Sequence, residues 1–392
     1  MATVDRESEK RAGTDVATRL STAPFVRIVA RADGDGVAAA GTVARALAAS
    51  GVPFQVATGR TAADRVARAE VDADGETLLV GATPTPGDAL ELPDATAGAP
   101  LSARAWRVAD ALLDGRAERS RVATLSLAGA VAAGVTPGTA GTASVLEAVD
   151  LDRRPGVATP TTPVDGLAHS TLVHGPFSGS PERARETLGP VAETPADEEA
   201  ARKFASAVTL ATLNAEGATA AAAGAIERLL RPRVAGPLQT VGGYADVLGA
   251  AARESPGAAV ALALGHDARE PALTAWREHG ERAHKAVRAA STSRYDGLLA
   301  VRVDASAPVE TVARLTAAYR SPEPVVAVAA DGAAAVAVRP DADAPAPGLH
   351  RAVRTALDGE GTVDGTPRLA FARLPETTEA TALVAELREG LS

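Results

Sequence analysis

Arg31-Ala32-Asp33-Gly34-Asp35-Gly36-Val37 follows the β-rich run Phe25-Val26-Arg27-Ile28-Val29 and precedes an alanine-rich segment that ends at Gly51. These flanks predict a strand, then a loop over Arg31–Gly36, then a helix over Val37–Ser50. Two carboxylates two residues apart therefore fall at the carboxyl end of a strand, where parallel α/β sheets hold their ligands. Gly34 and Gly36 remove side-chain bulk and admit unusual backbone angles. Hard oxygen ligands in such a place suit Mg²⁺ or Mn²⁺. Such ions activate water against a phosphodiester. A plainer reading of the same residues is a tight strand–helix turn capped by aspartates. A dinucleotide fingerprint, Gly34-x-Gly36-x-x-Ala39, is a third; it asks for an acid after the second strand, where Thr58-Gly59-Arg60 offers none.

Outward from this segment the alternation continues. Phe54–Ala57 and Thr77–Val80 read as strands and Thr61–Ala69 as a helix, the pattern of a parallel α/β sheet. Pro84–Pro100 reads as loop or edge structure, Ala103–Leu113 as a helix, and Val122–Ala133 as a small-residue apolar run. Arg153–Pro181 is rich in Pro, Gly and Thr and reads as a structured connection. Pro195–Leu230 reads as helical, Ala258–Leu264 as a strand, and Glu270–Ala290 as a charged helix. A last α/β lobe begins near Tyr295, with strands at Leu298–Val303, Val325–Ala329, Ala334–Val338 and Leu369–Ala372. Asp331-Gly332 makes a hairpin turn there, and helices follow near Leu349–Leu357 and Glu376–Glu389. The expected organisation is a polar tail (1–20), an α/β domain (21–152), an inter-lobe segment and helical connector (153–294), and a smaller C-terminal α/β domain (295–392).

Composition bounds the function. A chain of 392 residues suggests two or three domains at roughly 100–200 residues each. Hydrophobic residues make up 46% but aromatics only 3%, so the cores must be built from Ala, Val and Leu. Cysteine is absent, which excludes disulfides and thiolate metal sites. No apolar run approaches the roughly 20 residues of a membrane helix, and the charged N-terminus does not read as a secretory signal. The cytoplasm is the expected location. The net charge is −9, and Lys10, Lys203 and Lys285 are the only lysines. Acid excess with scarce lysine fits a salt-adapted source, and it argues against a broad basic face.

The segment Phe25–Leu47 resembles the first motif of the DHH phosphoesterase superfamily, His-x-Asp-x-Asp-Gly followed by a small-residue helix. The similarity is to its RecJ-like branch, in the divergent archaeal form found in halophiles. Leu167-Ala168-His169-Ser170-Thr171-Leu172-Val173-His174-Gly175-Pro176-Phe177-Ser178-Gly179 looks like the inter-lobe segment of that branch. The resemblance implies a parallel-sheet DHH-type domain, a helical connector and a C-terminal DHH-associated domain. It also implies a cofactor pair of Mn²⁺ or Mg²⁺. Asp33 and Asp35 are the retained metal ligands. Several positions depart from the pattern. Arg31 stands at the motif histidine, Val80-Gly81-Ala82 lacks the second-motif aspartate, and no Asp-His-His occurs between residues 83 and 124. Ala132-Ala133 stands where a fourth-motif acid should follow an apolar run like Leu125–Val131. Gly359-Glu360-Gly361-Thr362 lacks the C-terminal histidine.

Arg31 is expected to pair with an aspartate or to grip a phosphate. Gly34, Gly36, His169, His174 and Arg339 complete the expected phosphate-binding set, with hydrogen bonding within the loop as the plainer role for the two histidines. His279 and His284, on a charged helix, read as a solvated face. His266-Asp267 reads as a turn. Three functions follow from the resemblance. One is a catalytically degenerate replication or repair scaffold that associates with GINS and the MCM helicase and contacts single-stranded DNA. A second is an active Mn²⁺-dependent 5′–3′ single-strand exonuclease using substitute ligands such as Asp88, Asp94 or His169. A third is a small-nucleotide phosphoesterase.

Overall fold

The computed structural model describes residues 13–70, 74–81, 88–92, 99–193, 195, 197–343, 349–357, 361–375 and 380–391. Residues 13–22 form α1. There follow β1 (Val26–Arg31), α2 (Gly34–Ala49), β2 (Phe54–Gly59), α3 (Ala62–Ala69), β3 (Glu76–Val80), β4 (Leu90–Leu92), α4 (Leu101–Leu112), α5 (Arg116–Ala132) and α6 (Ala143–Glu147). Helices α7 (Pro163–His169), α8 (Pro181–Leu188), α9 (Glu198–Leu213) and α10 (Ala221–Glu227) come next, then α11 (Val241–Glu254), α12 (Pro256–Leu264) and α13 (Arg269–Ala289). The chain ends with β5 (Ser291–Tyr295), β6 (Leu298–Arg302), α14 (Val309–Tyr319), β7 (Val325–Ala330), β8 (Ala333–Val338), α15 (Leu349–Ala356), β9 (Thr362–Thr366), β10 (Leu369–Arg373) and α16 (Ala380–Leu391). No helix among the described residues is long and apolar enough to cross a membrane.

The chain divides into two compact units. The first holds residues up to Arg153 together with Arg233–Trp276; the second holds Arg154–Pro232 and everything from Arg277 onward.

The first unit is built on a parallel four-stranded sheet in the order β2-β1-β3-β4. Its central helix is α2, whose residues are buried on almost every side. It packs against α4, α5, α11 and α12 as well as against the sheet. Alanine and glycine make this possible, because a helix hydrophobic all round must be approached closely by its neighbours. An added Cβ at Gly41 would lie 2.8 Å from the Cβ of Ala263. The low aromatic content is thus matched by tight helix-to-helix spacing rather than by a loose core.

The second unit contains a six-stranded sheet, β5-β6-β7-β8-β10-β9, antiparallel except for the parallel β6–β7 pair. Successive residues of a strand point to opposite faces, and here both faces are covered. Val326, Val328, Ala335 and Ala337 face a core shared with α14. Val325, Ala327, Val336 and Val338 face a core with α15 and α16. The β7–β8 turn is at Asp331-Gly332 as expected, with Gly332 at φ +77°.

One expected element is corrected. Ala258–Leu264 is not a strand but most of α12. Pro256 sits in its first turn and Gly265, at φ +86°, ends it, and alanine is the strongest helix former. The small-residue apolar run Val122–Ala133 lies in α5, with Ala133 as its C-cap. Elements α6, α7, α8, α11, β5, α14 and β9 add to those expected from the sequence.

Candidate functional site

The residues Arg31–Gly36 lie at the carboxyl end of β1, which has β2 on one side and β3 on the other. This is the switch point of the sheet, the place where open α/β folds bind ligands. The expected loop, however, is already helix. Asp33 is the N-cap of α2, and Gly34, Asp35 and Gly36 form its first turn. The Asp33 Oδ1 accepts from the Gly36 amide at 2.7 Å, the usual way of satisfying an orphan N–H at a helix start. Its Oδ2 accepts from Nε of Arg31 at 2.5 Å. Burial alone would raise the Asp33 carboxyl, but the charges of Arg31 and Arg253 outweigh it and hold the group below its ordinary range.

Asp35 points the other way. Its Oδ2 accepts from the Leu101 amide at 2.8 Å and its Oδ1 from the Ser102 amide at 2.9 Å, the first turn of α4. Asp35 is therefore a buried clamp between two helices. Burial, followed by the neighbouring Asp33 charge, pushes its carboxyl up to about 6.

The glycines are required by packing. Neither Gly34 nor Gly36 is at positive φ. A Cβ on Gly34 would stand 2.7 Å from the Cβ of Ala132 and 3.0 Å from the Gly249 nitrogen, and one on Gly36 would collide with the Arg31 carbonyl.

Guanidinium groups fill the crevice between β1 and β3. Arg31 is buried, and its Nη1 lies 3.4 Å from where a Cβ on Gly81 would stand. The fully buried Arg65 donates to the Gly81 carbonyl, just past β3, and to the Gly59 carbonyl at the end of β2 at 3.4 Å. A pair of Mn²⁺ or Mg²⁺ ions does not fit this set. Both carboxylates already hold hydrogen bonds on each oxygen, and two cationic side chains occupy the neighbourhood where cations would sit. Among the described residues no group of three or more His, Asp or Glu side chains converges as a metal site. Of the substitute ligands, Asp88 lies just before β4, where its carbonyl accepts from Arg19 at 3.5 Å. Asp94, Ala82 and Gly359-Glu360 lie outside the described residues.

The remaining expected residues belong to the second unit. His169, at the end of α7, is buried, with Nδ1 3.0 Å from the Asp165 carbonyl and 3.1 Å from Asp165 Oδ1. Asp165, which sequence reasoning passed over, is the hub here. It also takes Arg277 through Nε and Nη2, and the Thr161 hydroxyl at 2.9 Å. Burial opposes its ionisation, but the His169, Arg277 and Thr161 hydrogen bonds overcome it and keep the carboxylate far below its ordinary range. Arg339 braces the end of β8: Nε pairs with Asp341 at 2.6 Å, and Nη1 donates to the Pro322 carbonyl at 2.8 Å.

His279 and His284 are not on a solvated face; both are buried. Their helix α13 buries Gly280, Ala283 and Val287 on the same stripe, a spacing of three and four that the sequence displays. His279 Nε2 meets the Thr311 hydroxyl at 2.8 Å. His284 Nε2 is 2.9 Å from the Ser170 carbonyl, so it carries the proton. Its Nδ1, 3.0 Å from Nδ1 of the buried His174, then accepts from His174. Two stacked neutral rings result. Burial and the neighbouring His284 push His174 well below the ordinary range, and burial pushes His284 down to about 3. His266-Asp267 forms a turn after α12, as expected.

Removing the Asp35 carboxylate strands two buried amides. Asp35→Ala is expected to lower the unfolding free energy by about 2–4 kcal/mol, read from chemical denaturation. The histidine pair fixes a pH dependence. The unfolded chain takes up protons below about 6.5 while the folded pair refuses them, so this stability is present above that pH and lost on acidification, for His284 down to about 3. Between pH 6 and 4 the unfolding free energy should fall by up to about 1.4 kcal/mol per pH unit on account of His284, and less steeply in His284→Gln.

Comparison with known proteins follows the same outline. A family model described as the C-terminal domain of the uncharacterized protein rrnAC1427 matches residues 290–389. Protein rrnAC1427 of Haloarcula marismortui is 44% identical over 367 residues, covering 93% of each chain. Among solved structures, Cdc45 from Entamoeba histolytica superposes over 99% of this chain and 98% of its own, with a TM-score of 0.56 and 8% identity. The DHH domain of a member of a family of ribosomal proteins gives 0.51 at 12% identity, over 98% of this chain and 92% of its own. The exonuclease RecJ bound to manganese gives 0.49 at 15% identity, over 97% and 93%. The chain belongs to the family of the Haloarcula marismortui protein rrnAC1427, and its fold is similar to that of Cdc45 and of the DHH domain.

Proposed function

We propose that this chain is a RecJ-like protein of DNA replication or repair whose first-motif carboxylates have become structural, so that it serves as a cytoplasmic scaffold rather than a nuclease. The observation that carries this reading is the commitment of both aspartates to the fold. Asp33 caps α2 and neutralises Arg31, while Asp35 holds the first turn of α4. A two-metal hydrolase needs those same oxygens for its ions, spaced about 4 Å apart. Arg31 in the place of a neutral imidazole works against metal binding, because it brings a fixed positive charge to the site. The likeness of fold to Cdc45 supports a replisome setting. In that setting the partners are GINS and the MCM helicase, with single-stranded DNA as a further contact.

The test is a nuclease assay on the purified chain with Mn²⁺ and end-labelled single-stranded DNA. No release of nucleotides is expected. Asp33→Asn is the control, since asparagine keeps the helix cap. Digestion that disappears in Asp33→Asn would overturn the scaffold reading.

A further inference from the structure

Two short segments, residues 152–154 and 232–234, run antiparallel and set one arginine against another. Arg153 is the bridge partner of Arg233. The Val234 amide donates to the Asp152 carbonyl at 3.2 Å, and the Arg154 amide to the Pro232 carbonyl at 3.1 Å. These two bonds flank the arginines, which makes Arg153 and Arg233 a non-hydrogen-bonded pair. In such a pair the Cα atoms stand about 4.5 Å apart and both side chains leave on one face. The acid next in sequence, Asp152, falls on the other face, because side chains alternate along an extended chain. The Val241 amide closes the far side of Arg233, donating to its carbonyl at 3.0 Å.

The pair is held in place. Arg233 is half-buried, and its Nη1 donates to the Leu151 carbonyl at 3.2 Å; Arg153 is exposed. The backbone around them is strained. Arg231, at φ +54°, and Gln239, at φ +61°, are two of the three non-glycine residues at positive φ among those described. Gln239 lies in the turn that brings Thr240 back beside Val234, and its carbonyl accepts from the Ala235 amide at 3.2 Å. Left-handed backbone costs a residue with a Cβ about 1–2 kcal/mol, and such strain gathers where a fold holds groups ready for a ligand.

Like charges directly opposite each other weaken a bridge. Arg233 forms no ion pair among the described residues, and burial followed by the Arg153 charge loosens its hold on its proton. An anion placed between the two guanidiniums relieves this repulsion. One phosphodiester fits best, since its two non-bridging oxygens meet two forked donors while it carries a single charge centre. Two carboxylates set side by side would repel each other as the arginines do. The feature is local, which agrees with a net charge of −9 and the lack of a broad basic face.

We propose that Arg153 and Arg233 form a two-pronged contact for a backbone phosphate of a nucleic acid. The proposal rests on the scaffold reading for its partner. That reading is tested by nuclease activity and metal binding at Asp33 and Asp35, so the two fail separately.

The test is fluorescence anisotropy of a labelled oligothymidylate with the full chain over a series of KCl concentrations. Saturable binding that weakens with salt is expected. Arg153→Gln and Arg233→Gln should each weaken it about ten-fold, the loss of one charge-assisted contact. Each should also reduce the slope of log affinity against log salt by about 0.7, the share of one phosphate contact on a single strand. Arg153→Lys keeps the charge and should keep the slope. Arg202→Gln, whose parent residue pairs with Glu198 on α9, should change neither quantity. The exposed Arg153 decides the matter if Arg233→Gln fails to fold. No saturable binding, or an unchanged slope in Arg153→Gln, overturns the proposal. Displacement of the oligonucleotide by polyaspartate at equal charge concentration also overturns it, and assigns the pair to an acidic protein instead.

Discussion

The ion pair between the buried Arg31 and the half-buried Asp33 is the constraint on which the first unit depends. Burying two charges is costly unless they are paired and hydrogen-bonded, and removing one partner leaves the other stranded. Here the pair closes β1, and the Asp33 carboxylate also caps α2. Two residues on, Asp35 ties α2 to α4. One strand and two helices are thus joined through three side chains of a single short segment. The whole core of the unit then gathers around α2, an alanine-rich helix that can be approached closely on all sides. The same residues in a metal enzyme would have to stay free for ions. In this chain each carboxylate oxygen has a protein partner.

The second unit follows a related logic with different groups. Its charged centre is Asp165, surrounded by His169, Arg277 and Thr161. Beside it, two histidines are buried as neutral partners, one hydrogen bond linking their rings and another anchoring His284 to the Ser170 carbonyl. These groups order the segment 170–179 after α7, which has no helix or strand of its own to fix it.

Much of this was legible in the residues. The alternation of short β-rich runs with alanine-rich segments over residues 25–80 pointed to the parallel sheet of the first unit, and Asp331-Gly332 to the hairpin of the second. Ala258–Leu264 misled because a short apolar run of Ala, Val and Leu carries no period that separates strand from helix. The flanking Pro256 and Gly265 were the better guide. His279 and His284 could have been placed inside from their spacing with Gly280, Ala283 and Val287. The role of Asp35 was beyond reach, since its partner Leu101 lies 66 residues away.

The central claim is that the Asp33 and Asp35 carboxylates serve the fold and hold no metal. Its most direct test is titration of the purified chain with Mn²⁺, following the electron paramagnetic resonance signal of the free ion. The signal should rise as in buffer alone, with no stoichiometric loss, and be the same for Asp33→Asn. Removal of one or two Mn²⁺ ions per chain from the free pool, abolished in Asp33→Asn, would contradict it.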